Sequence, residues 1–470
     1  MDNSQSNVNN PLAYESVGVL LRKFAIPSIV AMLVTSLYNI VDQLFIGQYV
    51  GELGNAATNI VFPLSMCCIS IALLFGIGGA SSYNLAQGRG ENDKAPYYIG
   101  TSVTMMIVLG LILGLACFIF TNPILKFLGS PDSVLDYANV YLKITSVGFP
   151  FMILQAGGGH IVRADGSPKI TMLINIVGAV INVILDAIFI IGMDMGMAGA
   201  AAATIIGQII SSLIVIVYLF HFKTSKLTFA HFVPKGFSLK QNAALGTAPC
   251  FNQLAMMTTQ ILFNNSLKHY GAQSIYGDAI PIAVAGIVLK TIQLLLGIII
   301  GISQGMQPIV SFNYGAKNYD RVKRGYTIAI KSGMVIALIG FALFQIFPGE
   351  IISLFGRGSE LYTEFGIKFY RYNVFMIFLI FMQPISSNFF TSIGKPKKGV
   401  FLSLTRQFIF LIPLIIVLPM LFGLDGILFA QPTADLLAFV VCLVMIVKEF
   451  KKPEYKDTES FFIHRRKNKS

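Results

Sequence analysis

Charge is what this 470-residue chain has least of: Asp, Glu, Lys and Arg make up 12% of it, about half the share of a soluble domain. Apolar residues reach 55%, with a mean hydropathy of +0.71, more than one water-soluble globule can hide. Cysteine is sparse too. Cys67, Cys68, Cys117, Cys250 and Cys442 lie singly or adjacent inside apolar runs, which suits neither a disulfide framework nor a zinc site and leaves them as packing residues. No Walker lysine motif exists, so ATP hydrolysis is excluded. The five histidines (His160, His221, His231, His269, His464) are scattered, with no HExxH pair, so a metalloenzyme is not supported. His160, near the inner end of the fourth expected helix, reads as a pH-sensing residue or, more simply, as a solvated one. The first fifteen residues are polar, without a basic stretch leading into an apolar run, so no cleavable leader is expected and the first spanning helix directs insertion.

Apolar runs of about 20 residues, enough to cross a bilayer ~30 Å thick, fill most of the chain. They predict an all-α polytopic membrane protein with helices at roughly 24–49, 56–86, 99–121, 137–161, 170–193 and 198–221, then 243–268, 279–312, 326–347, 366–392, 400–422 and 427–447. The net charge of +12 is topological. With the N-terminus inside, about 25 of the 34 Lys and Arg fall on inner segments, including the basic tail, against about six (Lys126, Lys143, Lys268, Arg357, Lys368, Arg371) near outer ends. The positive-inside rule then puts both termini in the cytoplasm of a multi-pass inner or plasma membrane protein. Nucleic acid is not an expected partner.

The chain repeats itself. Gly78, Gly88 and Asp93 recur 227 residues later as Gly305, Gly315 and Asp320; the turn GSPK at 166–169 returns as GKPK at 394–397; Gly199 matches Gly426; AIP at 25–27 matches TAP at 247–249. Two six-helix lobes follow, 1–232 and 233–470, the second ending in the basic tail. Six is even, so both insert the same way up, related by a pseudo-two-fold along the membrane normal, as in transporters that rock one half against the other.

An ionised carboxylate at the centre of a spanning helix costs at least ~2.5 kcal/mol, so intramembrane acids are functional candidates. Two are expected to sit deep, Asp42 in the first helix and Asp186 in the fifth. Asn182 is four residues before Asp186 and Asn175 seven further back, one stripe of a helix. An acid with carboxamides on its own face offers oxygen ligands for a small cation and partners for a proton; the plainer alternative is a link between neighbouring helices. By the repeat, Asp42 maps onto Asn264 and Asp186 onto Pro413 or Leu414, so both acids belong to the first lobe alone. The second lobe brings Lys290, in AGIVLKTIQLLLG, and Arg406. Lys290 balances an acid, meets an anionic substrate group, or snorkels to an interface. GIGGAS at 76–81 has no preceding strand and reads as close helix packing. Eighteen Met and thirty-eight Phe suit an adaptable apolar cavity.

In AIPSIV, YNIVDQLFIG, AQGRGEND, RADGSPK and NVILDAIFI followed by GMAGAAAAT, the chain resembles the multidrug and toxic compound extrusion (MATE) family of secondary transporters, over about residues 15–450. The resemblance implies a cation site in the first lobe made by Asp42, Asn182, Asp186 and Thr204, a bend of the first helix around Pro27 linked to protonation, and a polar contribution from Tyr141. It departs from the branch that binds sodium through acids on helices 7 and 10, since FNQLAMMTTQILFNN and FMQPISSNFFTSIG contain no carboxylate. It implies a cation-coupled antiporter, with H+ favoured over Na+, that exports amphipathic organic compounds by alternating access. The chain is then expected to act as a monomer on a small-molecule substrate within the lipid bilayer, with no cofactor beyond the coupling ion and no enzymatic activity. Two rivals stand beside this reading: a flippase for lipid-linked precursors, which needs a basic cavity, and a membrane-embedded enzyme such as an intramembrane protease or acyltransferase. A proteolytic dyad would need both aspartates to share a proton at close range, and the duplicated six-plus-six plan has no role in that chemistry.

Overall fold

The computed structural model describes residues 10–277, 279–354 and 359–455. Arg357, His464 and most of the basic tail lie outside the described residues. Among those described there is no strand. Twelve long helices follow in order: α1 (Val17–Phe45), α2 (Glu52–Arg89), α3 (Ala95–Ile119), α4 (Asp132–Ala164), α5 (Pro168–Asp186), α6 (Gly196–Phe220), α7 (Gly236–Gly271), α8 (Ala279–Gly315), α9 (Tyr319–Ile346), α10 (Glu360–Asn373 and Met382–Ser392), α11 (Pro396–Phe422) and α12 (Leu424–Phe450). Ten of them are long and apolar enough to cross a membrane on those grounds alone. The polar residues of α7, among them Gln253, Gln260 and Asn264, hold it below that test, although its 36 residues make a rod of roughly 54 Å at 1.5 Å per residue.

The tenth helix differs from the single run expected at 366–392. It is broken: Glu360–Asn373 is bent by 41° against Ile377–Ser392, which opens with a short 3-10 turn at Ile377–Leu379. Pro384 stands in the first turn of the α-helical stretch Met382–Ser392, where a missing N–H leaves no intrahelical bond unmade. The two repeated turns share one chemistry. Gly166 and Gly394 take positive φ of 81° and 71°, a conformation that favours glycine, and Pro168 and Pro396 then open α5 and α11 at a position where proline is preorganised for a helix.

The helices form two compact units. One is built from Ile26–Gln253, the other from Pro11–Ala25 together with Leu254 onward. Helix α1 therefore starts in the second unit and continues in the first, changing over beside Pro27; α7 does the converse a few residues after Pro249. In the second unit the chain before α1 is tied to α8 and α9: Asn313 Nδ2 and Arg321 Nη2 both donate to the Leu12 carbonyl, at 3.0 and 2.9 Å. In the first unit Asn242 of α7 donates to the Tyr98 carbonyl at 2.8 Å and to Ser102 Oγ at 3.0 Å. Glycines allow these approaches. A Cβ on Gly246 would stand 1.7 Å from the Leu74 oxygen, and one on Gly76 would stand 2.6 Å from Gly157 Cα, so the GIGGAS stretch does serve close packing.

Each unit ties its repeated turn to a later part of the chain through a buried carboxylate. In the first, Asp165 of the α4–α5 turn accepts hydrogen bonds from Tyr218 Oη and from the backbone N–H groups of Lys223 and Thr224, at 2.7, 2.7 and 2.9 Å. Burial pushes its carboxyl above the usual range, against the pull of those donors. In the second, the buried Glu449 of α12 takes Lys395 of the α10–α11 turn and Lys398 of the first turn of α11. His160 is corrected here: it is buried, not solvated, with Nδ1 3.2 Å from Nη1 of the equally buried Arg163.

Candidate cation-coupling site

The site lies within the first unit and is made by α1, α4, α5 and α6. The run of small residues GMAGAAAATIIG on α6 lets it press against α5: a Cβ on Gly207 would come within 2.8 Å of the Gly178 oxygen. That closeness brings Asn182 to Thr204, Nδ2 donating to Oγ1 at 3.4 Å. One helical turn along α5, Asp186 is fully buried, and Asn182 is nearly so. The Asp186 and Asp42 carboxyl groups lie within hydrogen-bonding range of one another. Neither oxygen of Asp186, nor Asp42 Oδ1, nor Asn182 Oδ1 receives a hydrogen bond from the protein. Two ionised carboxylates cannot satisfy each other, because an ionised carboxylate only accepts. A single proton between them supplies the missing donor; a bound cation supplies the missing charge.

Both acids adjoin a local change of helix type. Asp186 is followed by a π turn at Ala187–Gly192, and Asp42 precedes another at Ile46–Val50. Such π turns break the regular i to i−4 ladder and recur at functional positions. Beside the acids lies a cavity of ≈ 20 Å³ lined by Thr35 and Tyr38 of α1, Gln155 of α4, Asn175 and Asn182 of α5, and Thr204 and Gln208 of α6. One water needs about 10–15 Å³ of such space, whereas organic ligands take roughly 300 Å³ or more. This polar cavity therefore fits one water or one small ion and excludes an organic compound.

Four residues that were expected to act together are gathered in this one region: Asp42 beside Asp186, and Asn182 bonded to Thr204. Asn175 lines the cavity, its Oδ1 accepting from Thr35 Oγ1 at 3.4 Å. Tyr141 lies close enough to sense the charges of Asp42 and Asp186. Pro27 lies inside α1 where that helix passes from one unit to the other. Lys290 belongs to the second unit, is exposed on α8 and pairs with no described carboxylate of that unit.

Sequence reasoning missed Thr35, Tyr38, Gln155 and Gln208. A signal existed for the first two: Thr35, Tyr38 and Asp42 are spaced by three and four residues, the same helical stripe that was read upstream of Asp186. A third deep acid was missed as well. Asp435, twelfth residue of α12, is buried, and Arg406 Nε donates to its Oδ1 at 2.6 Å. Asp186 is thus not the only buried acid within the spanning helices, but it and the half-buried Asp42 meet no basic side chain among the described residues.

The MatE family model matches residues 27–188 and again 250–417, one segment in each half of the chain. The chain is similar to the multidrug export protein MepA of Staphylococcus haemolyticus, 27% identical over 434 residues that cover 92% of this chain and 93% of that protein. It is 25% identical to MepA of Staphylococcus aureus strain MSSA476, covering 90% and 92%. Among solved structures, the MATE multidrug transporter DinF-BH in complex with rhodamine 6G is 32% identical, with a TM-score of 0.86 over 94% of this chain and 97% of that one. An outward-facing MATE transporter of the MOP superfamily aligns with a TM-score of 0.85 at 22% identity, covering 96% and 99%, a likeness of fold alone.

Proposed function

Because the chain belongs to the MatE family, and so to a family of multi-pass membrane transporters rather than enzymes, we propose that it exports amphipathic organic compounds in exchange for an inward-moving cation, a proton in preference to sodium. The observation that carries this reading is the pair of carboxyl groups of the buried Asp186 and the half-buried Asp42, in which both oxygens of Asp186 and Oδ1 of Asp42 are buried without a protein donor beside a polar cavity of one-ion size. Leaving two carboxylates buried, adjacent and ionised is costly. A proton taken up from outside removes that cost and returns it on release, so the occupancy of the site biases the protein between two packings of its helices. In this reading Asp42 and Asp186 carry the exchangeable charge, Asn182 and Thr204 orient it, and Tyr141 and Asn175 complete the polar lining. Pro27 is where α1 responds, because proline removes one bond from the helix ladder and makes a bend cheap there. The lobes 1–232 and 233–470 then move by alternating access, in a plasma membrane with both termini cytoplasmic and one chain as the working unit.

The energetics are adequate but modest. One charge crossing 100 mV releases about 2.3 kcal/mol, which supports roughly a fifty-fold gradient of an uncharged substrate; a pH gradient adds to it. For a singly charged organic cation exchanged one for one with a proton, the pH gradient is the driving force together with the cation's own gradient. A lipid-linked-precursor flippase is disfavoured by charge: it needs a basic cavity, and Arg406, the buried cation of α11, is already neutralised by Asp435. Lys290 is left to meet an anionic group of the substrate or the membrane interface.

The test is uptake into proteoliposomes under separately imposed proton and sodium gradients. Rhodamine 6G, the compound held by the DinF-BH relative, is the first substrate to try. Uptake driven by the proton gradient and lost in Asp42→Asn and Asp186→Asn supports the reading. Uptake that follows only sodium, or that survives both substitutions, refutes it.

A further inference from the structure

The second lobe holds a counterpart of the small-ion cavity, and it is filled. Arg406 lies 228 residues after Gly178, the same offset that relates the GSPK and GKPK turns opening α5 and α11. Asp435 lies 227 residues after Gln208, the offset that relates Gly199 to Gly426 at the starts of α6 and α12. Gly178 and Gln208 both line the cavity of the first lobe. Where that lobe has a glycine and a carboxamide around open space, the second has a guanidinium bonded to a carboxylate at 2.6 Å, both side chains almost wholly buried. The local backbone also differs from a plain helix: Thr405–Leu411 is a π turn. In that turn Gln407 buries an Oε1 that accepts no hydrogen bond.

We propose that Arg406 is a tethered cation, holding in the second lobe the position that the first lobe leaves open to an exchangeable ion, and that removing its guanidinium uncovers a site on Asp435 for a small monovalent cation from solution. The chemistry is conservative. A carboxylate deprived of its covalently attached partner in a buried setting binds whatever small cation can reach it, and planar guanidinium fits best because it repeats the group removed. The inference rests on reading the first-lobe cavity as a cation site, and it extends that reading: the duplicated halves share one site architecture, loaded from solution in one half and by the chain itself in the other. Exchange of charge during transport is thereby confined to the first lobe.

Equilibrium dialysis of the purified full chain against radiolabelled guanidinium, at low millimolar concentrations far below denaturing ones, tests this. Arg406→Ala should bind one more guanidinium per chain than the wild type. The increment should vanish in Arg406→Ala/Asp435→Asn and persist in Arg406→Ala/Asp42→Asn/Asp186→Asn. Persistence in that last variant keeps the inference separate from the proton-coupling assignment, which can fail on transport measurements without touching this result. Should Arg406→Ala not elute as a folded species, Arg406→Gln, which fills more of the vacated volume, takes its place. A folded Arg406 variant with no increment, or an increment that disappears with the first-lobe acids rather than with Asp435, makes the pair a plain structural ion pair and overturns the inference.

Discussion

The two lobes use the same parts with opposite electrostatics. In the first, Asp42 and Asp186 face each other with no basic partner beside a cavity of ≈ 20 Å³; in the second, the corresponding place is closed by Arg406 and Asp435. At the repeated turn the assignment of charge is also exchanged. The first lobe puts its acid on the turn, Asp165, and binds backbone N–H groups, whereas the second puts its acid on the last helix, Glu449, and binds Lys395 of the turn and Lys398 at the start of α11. Helix order, turn glycines and opening prolines are common to both halves, so the duplicated scaffold does not itself require a buried unpaired acid. Unpaired acids in one lobe are a property of that lobe's task.

The comparison breaks most completely at the acids. Asp186→Asn and Asp42→Asn are expected to lower efflux to the level of empty vesicles while the protein remains inserted, measured as dye export at matched expression. Next comes the ion pair of the second lobe. Arg406→Ala leaves a buried carboxylate uncompensated and should cost about 3–5 kcal/mol of stability, whereas Arg406→Met/Asp435→Leu, which removes both charges, should unfold in detergent no earlier than the wild type. A purely steric change follows. Gly246→Val must displace the Leu74 backbone, since even a Cβ would stand 1.7 Å from its oxygen; a loss of about 1–3 kcal/mol is expected, read as a lower melting temperature. The smallest effect sharpens the contrast between lobes. Thr204→Val removes one hydrogen bond to Asn182, worth about 1 kcal/mol or roughly a fivefold weaker coupling-ion affinity. Gln431→Leu, at the corresponding position of α12, should leave that affinity within about twofold of the wild type.

Much of the architecture was legible because it depends on composition and period. Twelve apolar stretches, the 227-residue repeat and the GSPK and GKPK turns correspond to α1–α12, and the Asn182–Asp186 stripe lies on one face as a four-residue spacing requires. What escaped reading had physical causes. The break in α10 falls between Asn373 and Ile377, inside an apolar run with no proline or glycine there to mark it. Asp435 sits in ADLLAFVVCL, as deep in its helix as Asp186 is in its own; its ion pair joins two helices and is invisible to spacing within either one. His160 was read as solvated from its place near a helix end, but burial at that point depends on the packing of α4 against its neighbours. Gln155 and Gln208 come from helix stretches without a charged residue nearby to draw attention to them.

Proton release on substrate binding tests the central claim most directly. The purified protein, held in a weakly buffered solution with a pH indicator and without any gradient, is mixed with a fluorescent organic cation that it exports. Loss of a shared proton from Asp42 and Asp186 on substrate binding predicts acidification of the medium by the wild type and none by Asp42→Asn/Asp186→Asn. Saturable binding with no proton released, or the same release from the doubly substituted protein, would contradict it.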